Sequence, residues 1–413
     1  MKNKTFKPRF AALALIAATA AGIAAFPAIR QAQAIPNIPP AVTQAEDRRI
    51  EVVFILDTTS SMSGLIQAAK EKIWSIASTM ASAQQNPDIR MGLVAFRDRG
   101  DAYVTRVFDL SEDFDSMYAS LMDFRAQGGG DGPESVNQAL YDAIHKISWS
   151  QDDGVYKVAF LVGDAPPHMD YADDVKYPVT LAAASRKGIV VNTIQSGQQQ
   201  YTRPAWQQIA SLGNGEYFQV EDSGNAVAVA TPFDEDLSRL ADELEDTRLF
   251  YGGEEARAAQ KAKDDASAKL RMELSPEALA RRSAYNATKS GEKNLLGESE
   301  LVDAVTSGRV ELDDIAEENL PSSLKAMAPE EQREVIAEQA KRRDELKQEI
   351  RKLSASRDRF IKEKVAAEGG AGDSLDEKIP RREGPGRVGR TDLRQRQREV
   401  LIHAIPCPAS CPH

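Results

Sequence analysis

The chain has 413 residues, enough for one substantial domain and further structure beside it. Its 52 Lys and Arg against 63 Asp and Glu give a formal charge of −11, which rules against the basic face that a nucleic-acid partner requires and suits attraction for divalent cations. The two cysteines, Cys407 and Cys411, lie at the extreme end, so no disulfide staples a core.

The first 34 residues read as a secretory signal. Lys2, Lys4, Lys7 and Arg9 precede an apolar run over 10–26, and Ala32-Gln33-Ala34 is a small-residue cleavage site. Pro27 breaks a run close to the ~20 residues of a membrane helix, so export to the periplasm or beyond is expected, with an uncleaved anchor as the less favoured outcome. Residues 35–45 form a Pro-rich spacer.

From there the pattern alternates. Val52-Val53-Phe54-Ile55-Leu56 predicts a strand buried on both faces, and Leu65, Ala69, Ile73, Ile76 and Met80 recur at helical spacing. Residues 91–96 and 103–108 read as a hairpin around a charged turn. Val136, Ala139, Leu140, Ala143, Ile144 and Ile147 mark a second helix, and 158–162 a strand ending at Gly163-Asp164. Helix, strand, helix, strand follow over 181–187, 189–194, 206–212 and 217–220, closed by a helix over 233–250. Such alternation predicts an α/β domain over 46–250, a doubly wound, mostly parallel sheet with helices on both faces.

Beyond Gly252-Gly253 the chain turns charged and alanine-rich, predicting a mainly helical region over 251–368. Its long helix over 330–368 carries Ile336, Leu346, Ile350, Leu353 and Phe360, interrupted by Gln339, Arg343, Arg357 and Lys364. A coiled coil keeps its seam apolar, so a solvated or weakly self-associating helix is expected. Residues 369–413 read as a disordered basic tail. Arg381, Arg382, Arg387, Arg390, Arg394, Arg396 and Arg398 suit a solvated linker, with weak contact to anionic lipid as the alternative. His403, Cys407, Cys411 and His413 could hold a metal, but in an oxidising compartment the Cys407–Cys411 pair reads more simply as a disulfide.

In an open parallel sheet, ligands bind beyond the carboxyl ends of the strands. Asp57 and Asp164 both stand at such ends, and Asp57 is followed by Thr58-Thr59-Ser60-Ser61. Asp57, Thr59 and Ser61, at alternate positions of a tight loop, offer small oxygen ligands of the kind a hard cation takes. This strand-loop-helix pattern, with Asp164 two strands on, resembles the von Willebrand factor type A domain and its metal-ion-dependent adhesion site, Asp-x-Ser/Thr-x-Ser. The loop Gly128-Gly129-Gly130-Asp131-Gly132-Pro133-Glu134 is similar to the Asp-x-Pro-Glu loop in the A-like domains of integrin β chains, which implies Glu134 as a direct ligand. Gly64 and Leu65 stand where that pattern has an aspartate pair and Gly129 where it has an asparagine, which implies one metal without flanking sites. Glu134 also fits an acid favoured at a helix start, and the hydroxyls fit helix caps. His168, in a loop, could orient a group behind the metal ligands or a partner, but is expected at the surface.

The resemblance implies an exported protein that binds Mg2+, with Mn2+ or Ca2+ as alternatives, through Asp57, Thr59, Ser61, Glu134 and Asp164. The metal's open position would take an Asp or Glu of a protein partner, for adhesion or scaffolding. Catalysis is not expected, because the rim's carboxylates are committed as ligands and neither a Ser-His-Asp arrangement nor a phosphate-cradling Gly loop is present. Two alternatives stand beside it: a metal-dependent hydrolase of phosphoesters using His168, and a structural coiled-coil protein indifferent to metal. Asp313, Asp314, Glu317 and Glu318 form either a solvated face or an occupant of the metal site, in their own chain or in a neighbouring copy.

Overall fold

The computed structural model describes residues 49–81, 87–220 and 229–367. The expected signal, spacer, basic tail and terminal Cys pair fall outside them. No described helix is long and apolar enough to cross a membrane.

Among the described residues, six strands form one sheet in the order β3-β2-β1-β4-β5-β6: β1 Arg49–Asp57, β2 Asp88–Phe96, β3 Thr105–Ser111, β4 Tyr156–Gly163, β5 Ile189–Ser196 and β6 Asn214–Val220. Only β3 is antiparallel, as the second arm of the hairpin. β1 pairs parallel with β2 and β4, so its side chains are buried on both faces, which is why Val52 to Leu56 are continuously apolar. Successive side chains point to opposite faces, and the core splits accordingly. Val52, Phe54 and Leu56 pack under α1 (Ile66–Ala81) and α2 (Phe114–Asp123), with Phe54 stacked on Phe160 at 5.4 Å. Val53 and Ile55 pack under α3 (Val136–His145), α4 (Tyr177–Arg186) and α5 (Arg203–Leu212). Helix α2 went unread in the sequence. It is capped by Asp113, whose side chain accepts from Ser116 N.

Among the described residues, six further α-helices follow: α6 Asp234–Glu245, α7 Glu254–Glu273, α8 Pro276–Asn286, α9 Lys289–Leu296, α10 Leu301–Thr306 and α11 Pro329–Ala367. Ala266 and Leu270 of α7 and Ala278 and Tyr285 of α8 enter the same apolar cluster as Phe54 and Trp74. Arg282 of α8 is fully buried between Asp115 of α2 and Glu245 of α6, at 2.6 and 2.7 Å.

The stripe on α11 differs from the solvated or self-associating helix expected. Ile336, Leu346 and Ile350 are buried within the chain, in clusters with α6, α8, α9 and α10, and Phe360 meets Phe233 edge-on. Two of the apparent interruptions are buried as well. Arg343 donates to both carboxylate oxygens of Glu300, and Arg357 to Asp234 at 2.7 Å. Of the acidic stretch that could reach a metal, Asp313 accepts from Arg333 through both oxygens.

Candidate metal centre

β1 delivers Asp57 to the carboxyl edge of the sheet, fully buried. The chain turns there because Thr58 is pinned to β2: its amide and hydroxyl both donate to Phe96 O at 2.9 Å, and Arg97 Nε donates to Thr58 O. A one-turn 3-10 helix over Ser60–Gly64 follows. Thr59 does not cap it. Its hydroxyl donates to Asp57 Oδ1 at 2.6 Å, its amide reaches the same oxygen at 2.9 Å, and its Oγ1 lies 3.0 Å from Ser61 Oγ. Ser61 Oγ then donates to Asp164 Oδ1 at 2.8 Å. One continuous ladder of oxygens therefore joins Asp57, Thr59, Ser61 and Asp164. Gly163 permits the two strand ends to approach, since a Cβ there would lie 2.6 Å from Asp57 Cβ.

Glu134 arrives from the glycine-rich segment before α3. Its amide donates to Pro166 O and its carbonyl accepts from His168 N, a short parallel bridge to the loop after β4. Gly129 turns with φ +78°, and a Cβ there would fall 3.2 Å from Glu134 Oε1 and 3.4 Å from Thr59 Cβ, so the acid, the hydroxyl and the glycine meet at one point. Glu134 is buried rather than displayed at a helix start. The structure thus brings together all five residues singled out in the sequence.

Their electrostatics are unbalanced. Burial raises Asp57 to about 7, with Asp164 adding to it against the Thr59 hydrogen bonds. Burial raises Glu134 to about 9, with the charges of Asp57 and Asp98 adding to it. Asp57 Oδ2 and Glu134 Oε2 are buried and accept no hydrogen bond. Carboxylate oxygens left without donors in a pocket of acids and small hydroxyls fit a hard divalent cation, the charge that would satisfy them. Asp57, Thr59, Ser61, Glu134 and Asp164 are the residues that could hold it.

A second cluster, which the sequence does not signal, lies beside this one. Asp98, Asp131 and His168 place ligand atoms within 4.8 Å of one another. His168 is buried, 3 % exposed, and not the surface residue its loop position suggested. Its Nδ1 is 2.8 Å from Asp170, and its Nε2 is 3.3 Å from Asp131 and 3.4 Å from Asp98. Burial works to lower its pKa, but the Asp170 hydrogen bond and the charges of Asp98 and Asp131 leave it raised. Asp98 also accepts from Ser135 Oγ and Tyr171 OH, each at 2.8 Å. Every polar atom of Asp98 and His168 therefore has a partner, in contrast with the stranded oxygens of Asp57 and Glu134.

Residues 51–230 match the family model of the von Willebrand factor A domain. This stretch is an A domain. The chain is also 28 % identical over 121 residues to the alpha-protein kinase vwkA of Dictyostelium discoideum, covering 29 % of this chain and 19 % of that protein; it thus spans about a fifth of that relative's length. Among solved structures it is similar to proximal thread matrix protein 1 from the mussel byssus, at 16–17 % identity, 43 % of each chain and TM-scores of 0.34 to 0.35. In one of those structures that protein's metal-ion-dependent adhesion site motif is occupied by zinc.

Two further residues of the A domain support Asp164 without having been legible in advance. Thr202 Oγ1 donates to Asp164 O at 2.8 Å and Gln199 Nε2 to Asp164 Oδ2 at 3.4 Å. Both sit in the β5–α5 loop, and only the sheet order, with β5 beside β4, brings that loop to the site.

Proposed function

We propose that the A domain binds one divalent cation, Mg2+ in preference to Mn2+ or Ca2+, through Asp57, Thr59, Ser61, Glu134 and Asp164, and presents it to an acidic side chain of a protein partner. The observation that carries this reading is the pair of buried oxygens, Asp57 Oδ2 and Glu134 Oε2, that accept no hydrogen bond. A bound cation would supply a Lewis-acidic position at the carboxyl edge of the sheet, where a carboxylate from outside can complete the coordination. The protein's own groups set the geometry: Thr59 and Ser61 hold Asp57 and Asp164 apart on one ladder, and the bridge to Pro166 and His168 fixes Glu134 over them.

The reading is one of binding without turnover. His168, the imidazole beside the site, is occupied at both ring nitrogens by carboxylates, so it is poorly placed to take a proton from water. The signal-like residues 1–34 support an exported adhesion or scaffolding protein.

The test is a thermal melt of the full chain with and without Mg2+. A ligand that binds only the folded state stabilises it by about 2.7 kcal/mol at a hundredfold excess over its Kd, and Asp57→Ala should abolish that shift. A shift that persists in Asp57→Ala places the cation elsewhere. Capture of an acidic partner that survives a chelator, or turnover of phosphoesters with Mg2+ or Mn2+, contradicts the functional half.

A further inference from the structure

Glu134 sits in a segment poorly suited to holding an acid in place. Residues 128–130 and 132 are all glycine, and each glycine adds backbone freedom that must be given up on ordering. Main-chain contacts secure the segment at its ends, through Gln127 N to Thr58 O and Ser60 N to Gly128 O before it and Glu134 N to Pro166 O after it.

Side chains secure the residues on either side of Glu134. Asp131, three positions before, meets His168 Nε2 at 3.3 Å. Ser135, directly after, donates to Asp98 Oδ1 at 2.8 Å, and Asp98 Oδ2 lies 3.4 Å from the same His168 nitrogen. The His168 ring is itself held: Asp170 takes Nδ1, and Tyr171 stacks on it at 4.0 Å and 13° while donating its hydroxyl to Asp98. Three loops thus converge on one imidazole, those after β2 and β4 and the glycine-rich segment between α2 and α3.

We propose that His168 is a positioning residue for the metal centre: by tying Asp131 and Asp98 together it clamps the Glu134 segment from both sides and holds the Glu134 carboxylate at the site. The inference rests on the reading of Glu134 as a metal-binding residue. Groups that orient a metal ligand typically change affinity 10–100-fold when removed, and with the clamp gone this glycine-rich segment keeps only its main-chain ties and the Gly129 N bond to Asp101 Oδ2 at 2.8 Å, which hold the backbone and leave the Glu134 carboxylate less tightly placed.

The experiment is a Mg2+ titration of the full chain, by calorimetry, for the wild type, His168→Ala, Glu134→Gln, the double variant, and Asp57→Ala. His168→Ala should weaken Mg2+ binding about tenfold. The double variant should bind no more weakly than Glu134→Gln alone, because His168 acts through Glu134. A merely structural histidine would lower the melting temperature in chelator and leave the affinity of the folded protein unchanged. Affinity unchanged in His168→Ala, or losses that add in the double variant, overturns the proposal. Should His168→Ala not fold, Asp131→Ala removes the acceptor of His168 Nε2 at the exposed end of the clamp and should still weaken binding several-fold; no change there overturns the proposal equally. If Asp57→Ala binds Mg2+ like the wild type, the metal-centre reading itself has failed, whatever His168 does.

Discussion

Asp57 and Glu134 define the chemistry of the site at the scale of single residues, and their protons give it a pH signature. In the unfolded chain both ionise near the ordinary carboxylate values, about 4. In the metal-free fold burial holds them up to about 7 and about 9. Between those limits the folded state carries protons that the unfolded state lacks, so stability is present at low pH and is lost as pH rises through 7 and then 9. The melting temperature in chelator should therefore fall from pH 5.5 to 9. Saturating Mg2+ should oppose that fall, because the cation replaces those protons and binds more tightly as they leave. Melts at several pH values, with and without chelator, check both halves; a chelated protein that gains stability with rising pH contradicts the first. Glu134→Gln removes the charge and keeps most of the shape, so in chelator at pH 9 it should melt higher than the wild type, while Mg2+ affinity falls at least tenfold, about 1.4 kcal/mol.

At the scale of elements, buried ion pairs decide where the helices dock. Arg343 is 4 % exposed and Glu300 fully buried, and the guanidinium also donates to Thr247 O and Oγ1. Arg343→Met keeps the length of the side chain but strands Glu300, and breaking a buried pair this way costs about 3–5 kcal/mol. Urea denaturation should show that loss in the midpoint, and a change under 1 kcal/mol would mean that α11 docks by its apolar stripe alone. The same pairs explain what was legible in the sequence. The strands could be read because a two-sided strand writes its burial into consecutive apolar residues, as in Val52 to Leu56, and the oxygen ladder could be read because Asp57, Thr59 and Ser61 are two positions apart. Helix α2 and the buried face of α11 could not, because Asp115, Arg343 and Arg357 look solvated until Arg282, Glu300 and Asp234 are placed against them, 167, 43 and 123 positions away. His168 was misplaced for the same reason, since Asp98 and Asp131 reach it from two other loops.

At the scale of the whole molecule, the match to the A domain ends at residue 230, yet the core of the sheet does not end with it. Leu270 and Tyr285 are 0 % and 1 % exposed, and both pack into the cluster that holds Phe54, Trp74 and Tyr118; Trp74 meets Tyr285 edge-on at 6.5 Å. Lys269 Nζ donates to Ala119 O at 2.8 Å, and Arg282 compensates Asp115 across the same boundary. A chain cut after Phe250 would therefore uncover Trp74, Tyr118 and Met117 and leave Asp115 without its cation. Each fully buried side chain of this size is worth about 1.5–3 kcal/mol, and small domains hold only about 5–15 kcal/mol in all, so losing Leu270, Leu274 and Tyr285 together with the Arg282 pair removes a large share of that margin. Residues 46–250 expressed alone should melt at least 10 °C below the full chain and self-associate through the uncovered face. Adding residues 251–367 as a separate chain should return the apolar cover and reverse both effects. A truncated domain that stays monomeric and melts with the full protein would show instead that the A domain is stable by itself and that α7 to α11 only lean on it.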